Sequence, residues 1–166
     1  MNEFEVLEKQ LSGVRRDVPL KNHTTFKIGG PAKYFFVAKK SSDIAKAVAA
    51  ARRLKTPFFI LGTGSNVLAP DNGFPGLVIK LQTINYKLLS TKAWAEAGVS
   101  MATLVRETGK RGLAGLEWAG GLPGTVGGAV RGNAGAFGGE VKDAIKEVEV
   151  LDDSGNIKKF NLAQCR

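Results

Sequence analysis

Tyr34-Phe35-Phe36-Val37, then a segment with Ile44, Ala47, Val48, Ala51 and Leu54 at helical spacing, then Pro57-Phe58-Phe59-Ile60-Leu61: this stretch decides the fold class. The two short apolar runs read as buried strands, and the segment between them as an amphipathic helix capped by Ser41 or Ser42. Strand, helix, strand makes a small α/β unit. Before it, Val6 to Val14 reads as a short helix, the chain passes Pro19 in a loop, and Phe26-Lys27-Ile28 leads into the turn Gly29-Gly30-Pro31. After it, Leu77 to Leu81 and Lys92 to Ala97 read as strands, with Trp94 in the core. Ser100 caps a helix with Met101, Leu104, Val105 and Thr108 on one face, stopped by Gly109 and Gly112. Ile145 to Leu151 alternates, and the turn Asp152-Asp153-Ser154-Gly155-Asn156 returns Ile157 to Phe160 as a hairpin strand. The class is α+β, built from two small α/β subdomains. Pro70-Asp71-Asn72-Gly73 marks their boundary, giving residues 1–75 and 76–166.

Composition narrows the chemistry. With 166 residues, 43% of them hydrophobic and 23% charged, the chain can bury a sizeable core. No apolar run approaches the ~20 residues of a membrane span. The acidic start Met1-Asn2-Glu3-Phe4-Glu5 has no apolar h-region, so the expected compartment is the cytoplasm, with no membrane partner. One cysteine, Cys165, and one histidine, His23, offer neither an intrachain disulfide nor a metal cluster, so no metal site is expected. The net charge is +9, of which +7 falls in residues 1–55. A solvated face, nucleic acid and an anionic cofactor or substrate all fit such a surface. Nucleic acid is the weakest of these, because Tyr34-Phe35-Phe36 reads as strand core and no other stacking aromatics form a motif. Glycine is concentrated: 11 of 21 lie between Gly112 and Gly139, without a G-X-Y period.

Two glycine-bearing loops are the candidate sites. Leu61-Gly62-Thr63-Gly64-Ser65-Asn66-Val67 follows a buried strand directly, and its bare backbone can turn amides toward a phosphate. It is neither a Walker A loop nor a Rossmann fingerprint, and a plain tight turn is the competing reading. In Gly120-Gly121-Leu122-Pro123-Gly124-Thr125-Val126-Gly127-Gly128-Ala129, Pro123 is expected to open a helical turn whose free amides attract an anion. There the competing reading is a tight backbone crossing that admits only small residues. Two phosphate-competent loops suit a dinucleotide. Elsewhere, His23, Glu117 and Trp118 read as structural, Arg131 as an exposed helix-end residue and Cys165 as a frayed free thiol.

Asn22-His23-Thr24-Thr25-Phe26-Lys27-Ile28-Gly29-Gly30-Pro31-Ala32, followed by Leu61 to Leu68, Gly115-Leu116-Glu117, Gly121 to Ala129 and Asn133-Ala134-Gly135-Ala136-Phe137-Gly138, resembles the bacterial UDP-N-acetylenolpyruvoylglucosamine reductases, also called UDP-N-acetylmuramate dehydrogenases, in order and spacing. The resemblance implies non-covalent FAD in a domain of the p-cresol methylhydroxylase and vanillyl-alcohol oxidase type. It places Leu61, Gly62, Thr63, Gly64, Ser65, Asn66 and Val67 with Gly121, Pro123, Gly124, Thr125, Gly127 and Gly128 around the pyrophosphate and flavin, and Asn133, Ala134 and Gly135 close by. It also implies NADPH as reductant and a UDP-sugar enolpyruvyl ether as substrate, in peptidoglycan precursor synthesis. Another FAD-dependent oxidase or dehydrogenase of the same superfamily is the alternative. The family's catalytic arginine, serine and glutamate match no residue here, so no catalytic residue is assigned. The chain is expected to be the FAD-binding portion, inactive without the substrate domain.

Overall fold

The computed structural model describes residues 2–152 and 155–165. The chain divides into two compact units, Met1–Thr83 and Ile84–Arg166.

In the first unit, helix α1 (Glu3–Gln10) begins where Asn2 caps it. The Asn2 side chain accepts from the Glu5 amide and the Glu5 carboxylate accepts from the Asn2 amide, both at 3.0 Å. That reciprocal cap starts the helix before the expected Val6, and Leu11 ends it. Strand β1 (Arg15–Pro19) occupies the stretch expected as loop. Val18 is its one buried residue, so five residues carry no period-2 signal. Then come β2 (Pro31–Ala38), α2 (Ser41–Arg53), β3 (Phe58–Leu61) and β4 (Phe74–Leu81). Neither Ser41 nor Ser42 caps α2; both lie inside its first turn. The Asp43 carboxylate takes up the amides of Lys39 and Lys40 instead, each at 3.0 Å.

The sheet order is β1-β2-β4-β3, with β1 antiparallel to β2 and the other three strands parallel. The boundary expected at residues 75 and 76 falls inside β4, and the first unit keeps this middle strand whole up to Thr83. Parallel strands covered on both faces read as continuous apolar runs, and Tyr34-Phe35-Phe36 and Leu77-Val78-Ile79 are buried throughout. On one face, Phe35 and Val78 pack with Val18, Leu20, Ala32, Leu61 and Ala69. Helix α2 packs against β2 and β4 and buries Ala47, Val48, Ala50 and Ala51.

The second unit has β-hairpins around short helices. Strands β5 (Tyr86–Leu88) and β6 (Ala93–Ala95) form the first hairpin, followed by α3 (Met101–Lys110), a 3-10 turn at Glu117–Ala119 and α4 (Val126–Arg131). The hairpin β7 (Gly135–Ala136) and β8 (Gly139–Glu140), helix α5 (Val141–Ala144) and the hairpin β9 (Glu147–Leu151) and β10 (Ile157–Asn161) complete it. Met101, Ala119, Ala129 and Val141 form a buried cluster in it, with Trp118, Leu122 and Ala134 packed against them; Val99 and Leu104 are buried as well. Trp94 is 43% exposed, not core: alternation marks a face of the two-stranded β5–β6 ribbon without saying what covers it. Helix α3 runs through Gly109 and ends before Gly112, whose φ of +67° leaves the helical region. Ser100 sits at the N-cap position without a side-chain cap bond. The β9–β10 hairpin forms as expected, though Asp153 and Ser154 of its turn lie outside the described residues.

One carboxylate ties α1 to the sheet. Glu3 accepts from Lys33 Nζ, from Thr56 Oγ1 and, at 2.8 Å, from the Tyr34 hydroxyl. These bonds, that from Lys33 foremost, hold its pKa at about 2 against an ordinary 4.5. A pKa depressed in the folded state stabilises above the unfolded value and loses that stabilisation as pH falls. Glu3→Gln is therefore expected to cost about 1–2 kcal/mol at pH 7. In urea titrations the gap from wild type should narrow as pH falls from 4.5 toward 2. A gap independent of pH would show that the charge of Glu3 does not matter.

Candidate functional site

In the first unit, β3 delivers Leu61 into the core and the chain then bends at Gly62 and Thr63. Gly64 has φ +75°, and its carbonyl accepts from the Thr25 amide at 3.0 Å. A Cβ on Gly64 would stand 2.2 Å from the His23 carbonyl oxygen and 2.9 Å from the Thr24 Cα. The glycine is thus demanded by the 22–25 turn lying against it, as the tight-turn reading requires. The phosphate reading asks for something else, namely unspent donors. Among the described residues, the backbone amides of Thr63, Gly64, Ser65 and Asn66 have no protein acceptor. Both demands are met on one loop.

A cleft of about 250 Å³ opens beside this loop, lined by Asn22, His23, Thr24, Lys27, Thr63 and Lys80 among others. Lys80 reaches from β4 and donates from Nζ to the Gly62 carbonyl. Burial lowers the Lys80 pKa from its ordinary value. His23 stacks on Phe35 with ring centroids 4.4 Å apart. Burial, then the charges of Lys80 and Arg15, push its pKa down, which favours the neutral imidazole at pH 7. The sequence reading passed over Lys80, although it is the one charged residue in the apolar run Phe74–Leu81.

The second loop spends its donors differently. Helix α4 begins at Val126, not Pro123, and Thr125 is its cap, with Oγ1 accepting from the Gly128 amide at 3.3 Å. The Val126 amide donates to the Val99 carbonyl and the Gly127 amide to that of Ala97, both at 2.8 Å. The first amides of this helix are therefore satisfied within the protein, and the expected free helical turn is absent. A Cβ on Gly127 would stand 2.6 Å from the Ala97 Cβ, so this glycine serves a close backbone crossing. Gly124 has φ +120°. Gly121 has open space where a Cβ would go, and Gly128 has only the Thr125 Oγ1 at 3.4 Å. Among the described residues, the amides of Gly121, Gly124 and Thr125 have no protein acceptor. Asn133, at φ +41°, donates to the Glu140 carboxylate at 2.7 Å and accepts from the Lys142 amide at 2.9 Å. Ala134 packs into the core, and Gly135 pairs with Glu140 in the β7–β8 hairpin. Glu117 accepts from the Gly115 amide at 2.7 Å and Trp118 donates to the Gly115 carbonyl at 3.1 Å, both structural roles. Among the described residues, no helix is long and apolar enough to cross a membrane, and no group of three or more His, Cys, Asp or Glu could hold a metal.

A family model described as "FAD binding domain" matches residues 32–161, which takes in both loops. The chain belongs to that family. FAD is accordingly the cofactor of this FAD-binding domain, and the α+β fold is the expected one. The domain is 45% identical over 140 residues to the UDP-N-acetylenolpyruvoylglucosamine reductase of Caldanaerobacter subterraneus subsp. tengcongensis, covering 84% of this chain and 46% of the relative. It is also similar to the crystal structure of UDP-N-acetylenolpyruvylglucosamine reductase from Thermus caldophilus, with TM-score 0.75 and 36% identity, covering 90% of this chain and 53% of that one. The likeness to 6-hydroxy-D-nicotine oxidase from Arthrobacter nicotinovorans, TM-score 0.64 at 21% identity over 78% of this chain and 30% of that one, is one of fold alone. The domain spans about half the length of the curated relatives it matches.

The two kinds of glycine should separate on mutation. Gly127→Ala is expected to destabilise the second unit by about 1–3 kcal/mol, because the new methyl meets Ala97. Gly121→Ala, into open space, should change stability by less than about 0.5 kcal/mol. Hydrogen exchange of the second-unit amides in the two variants checks this, and equal protection would refute the close-crossing role of Gly127.

Proposed function

We propose that this chain is the FAD-binding part of a cytoplasmic, NADPH-dependent reductase that converts UDP-N-acetylglucosamine enolpyruvate to UDP-N-acetylmuramate for peptidoglycan synthesis. The observation that carries the cofactor-binding part is the run of four amides, Thr63 to Asn66, that have no protein acceptor among the described residues. A pyrophosphate is an acceptor-only dianion, and consecutive backbone donors are the cheapest way to receive one. The substrate part rests on relatives named as the reductase at 45% and 36% identity.

In this reading Thr63, Gly64, Ser65 and Asn66 hold FAD by backbone donors, and Leu61, Gly62 and Val67 set the path of the loop that carries them. In the second unit, the amides of Gly121, Gly124 and Thr125 supply further donors, and Gly128 gives an open, bulk-free surface. Pro123 and Gly127 shape that loop, while Asn133, Ala134 and Gly135 fix the hairpin after it. When bound, FAD supplies the electron chemistry, and the residues here bind and orient it. None of them is assigned as proton donor or enolate stabiliser, and those groups are proposed to lie outside these 166 residues.

Flavin titration and anaerobic NADPH assays test the proposal. The protein should bind FAD and release it on heat denaturation, as non-covalent attachment requires. Gly121→Val, whose Cβ meets no protein atom within 4 Å, should weaken FAD by about tenfold or more through the blocked approach. The 166-residue chain should show no UDP-sugar-dependent oxidation of NADPH. A colourless protein that ignores added FAD would overturn the cofactor reading. Sugar-dependent turnover near 1 s⁻¹ or faster would show that the catalytic groups are in this chain after all.

A further inference from the structure

Lys80 sits in the middle of the first sheet, opposite Leu61 of β3 and Val37 of β2 in register. Period-2 alternation puts it on the same face as Val78, which packs with Phe35 and Leu61. An ammonium at the end of an apolar row is costly unless something there uses it. The Gly62 carbonyl takes one of its three N–H groups. That bond crosses from β4 to the first residue after β3 and so fixes where the glycine loop begins. Lys80 also lines the cleft with Thr63 and His23. Burial works against its charge, and a neutral carbonyl compensates only part of that cost. His23, held toward its neutral form, leaves Lys80 as the main charge at that wall of the cleft, with Lys27 exposed at the rim.

We propose that Lys80 is a two-part residue: it positions the 61–67 loop through Gly62 and gives its remaining N–H groups to a phosphate oxygen of the bound dinucleotide. This rests on the FAD reading above. A methionine at position 80 would fill the same space beside Val78 and lose both functions, whereas an arginine keeps charge and donors.

Flavin-fluorescence titrations of the 166-residue chain compare wild type, Lys80→Met and Lys80→Arg, with thermal midpoints as the control for folding. Lys80→Met should weaken FAD by about tenfold or more, the loss of one charge-assisted contact, and Lys80→Arg should return to within about threefold of wild type. In wild type, acetylation of Lys80 mapped by mass spectrometry should slow by about fivefold or more, as an occupied ammonium requires, with saturating FAD or with inorganic pyrophosphate. Riboflavin, which has no phosphate, should leave it unchanged. If wild type binds FAD while Lys80→Met binds within about threefold of it, the proposal fails and the FAD reading stands. If Lys80→Met does not fold, the acetylation map decides, and unprotected Lys80 under saturating FAD overturns the proposal. If wild type takes up no FAD, the FAD reading falls and this inference falls with it.

Discussion

Strand β4 lies between β2 and β3, parallel to both, and the first unit takes its geometry from that pairing. Because β4 is bonded along both edges and covered on both faces, it is apolar from Leu77 to Ile79. Its carboxyl end, by contrast, is where the apolar row stops and Lys80 reaches the Gly62 carbonyl. Open α/β sheets place ligands at the carboxyl ends of their parallel strands for this reason: the strand interior is saturated, and the loops leaving it are not. The glycine loop, the cleft and the half-buried lysine all sit at that end.

The two loops reach a similar composition by different physics. Gly64 is required by a backbone pressed against it, yet the amides around it are unspent. At α4 the amides are spent on Thr125, Val99 and Ala97, and the donors left over belong to the loop before the helix. A glycine-rich stretch is therefore not one signal. Gly127 answers to Ala97, Gly124 to its own φ, and Gly121 to nothing within the protein.

Much of the fold was legible because it rests on local pattern. The strand–helix–strand of β2, α2 and β3 shows in the spacing of Phe35, Ala47, Val48, Ala51 and Leu61, and the hairpin of β9 and β10 in its alternation. What failed was decided by partners distant in sequence or by competing side chains. Asp43, reaching back to the amides of Lys39 and Lys40, fixes the start of α2 without a serine cap, and Asn2 starts α1 early. Trp94 alternates as a core residue would, but among the described residues no third strand joins its ribbon. At the site, the loops could be seen as glycine clusters, whereas the use of the α4 amides depended on carbonyls nearly thirty residues upstream. Lys80 carried a readable mark, a lone charge in an apolar strand, whose meaning depended on where β3 ends.

The interleaved strand order also has a temporal side. Strands β2 and β3, joined by α2, share no hydrogen bond; the gap between them is one strand wide and is filled by β4. A chain emerging from a ribosome can form the β1–β2 ladder and helix α2, but no parallel ladder can close until Phe74 to Leu81 has left the exit tunnel. Until then β2 and β3 each present an unpaired edge and an uncovered apolar face, the species most prone to pairing with a neighbour. Assembly of the glycine loop waits on the same event, because Lys80 arrives with the strand that closes the sheet. In this unit the glycine loop and the last step of folding are set by one segment.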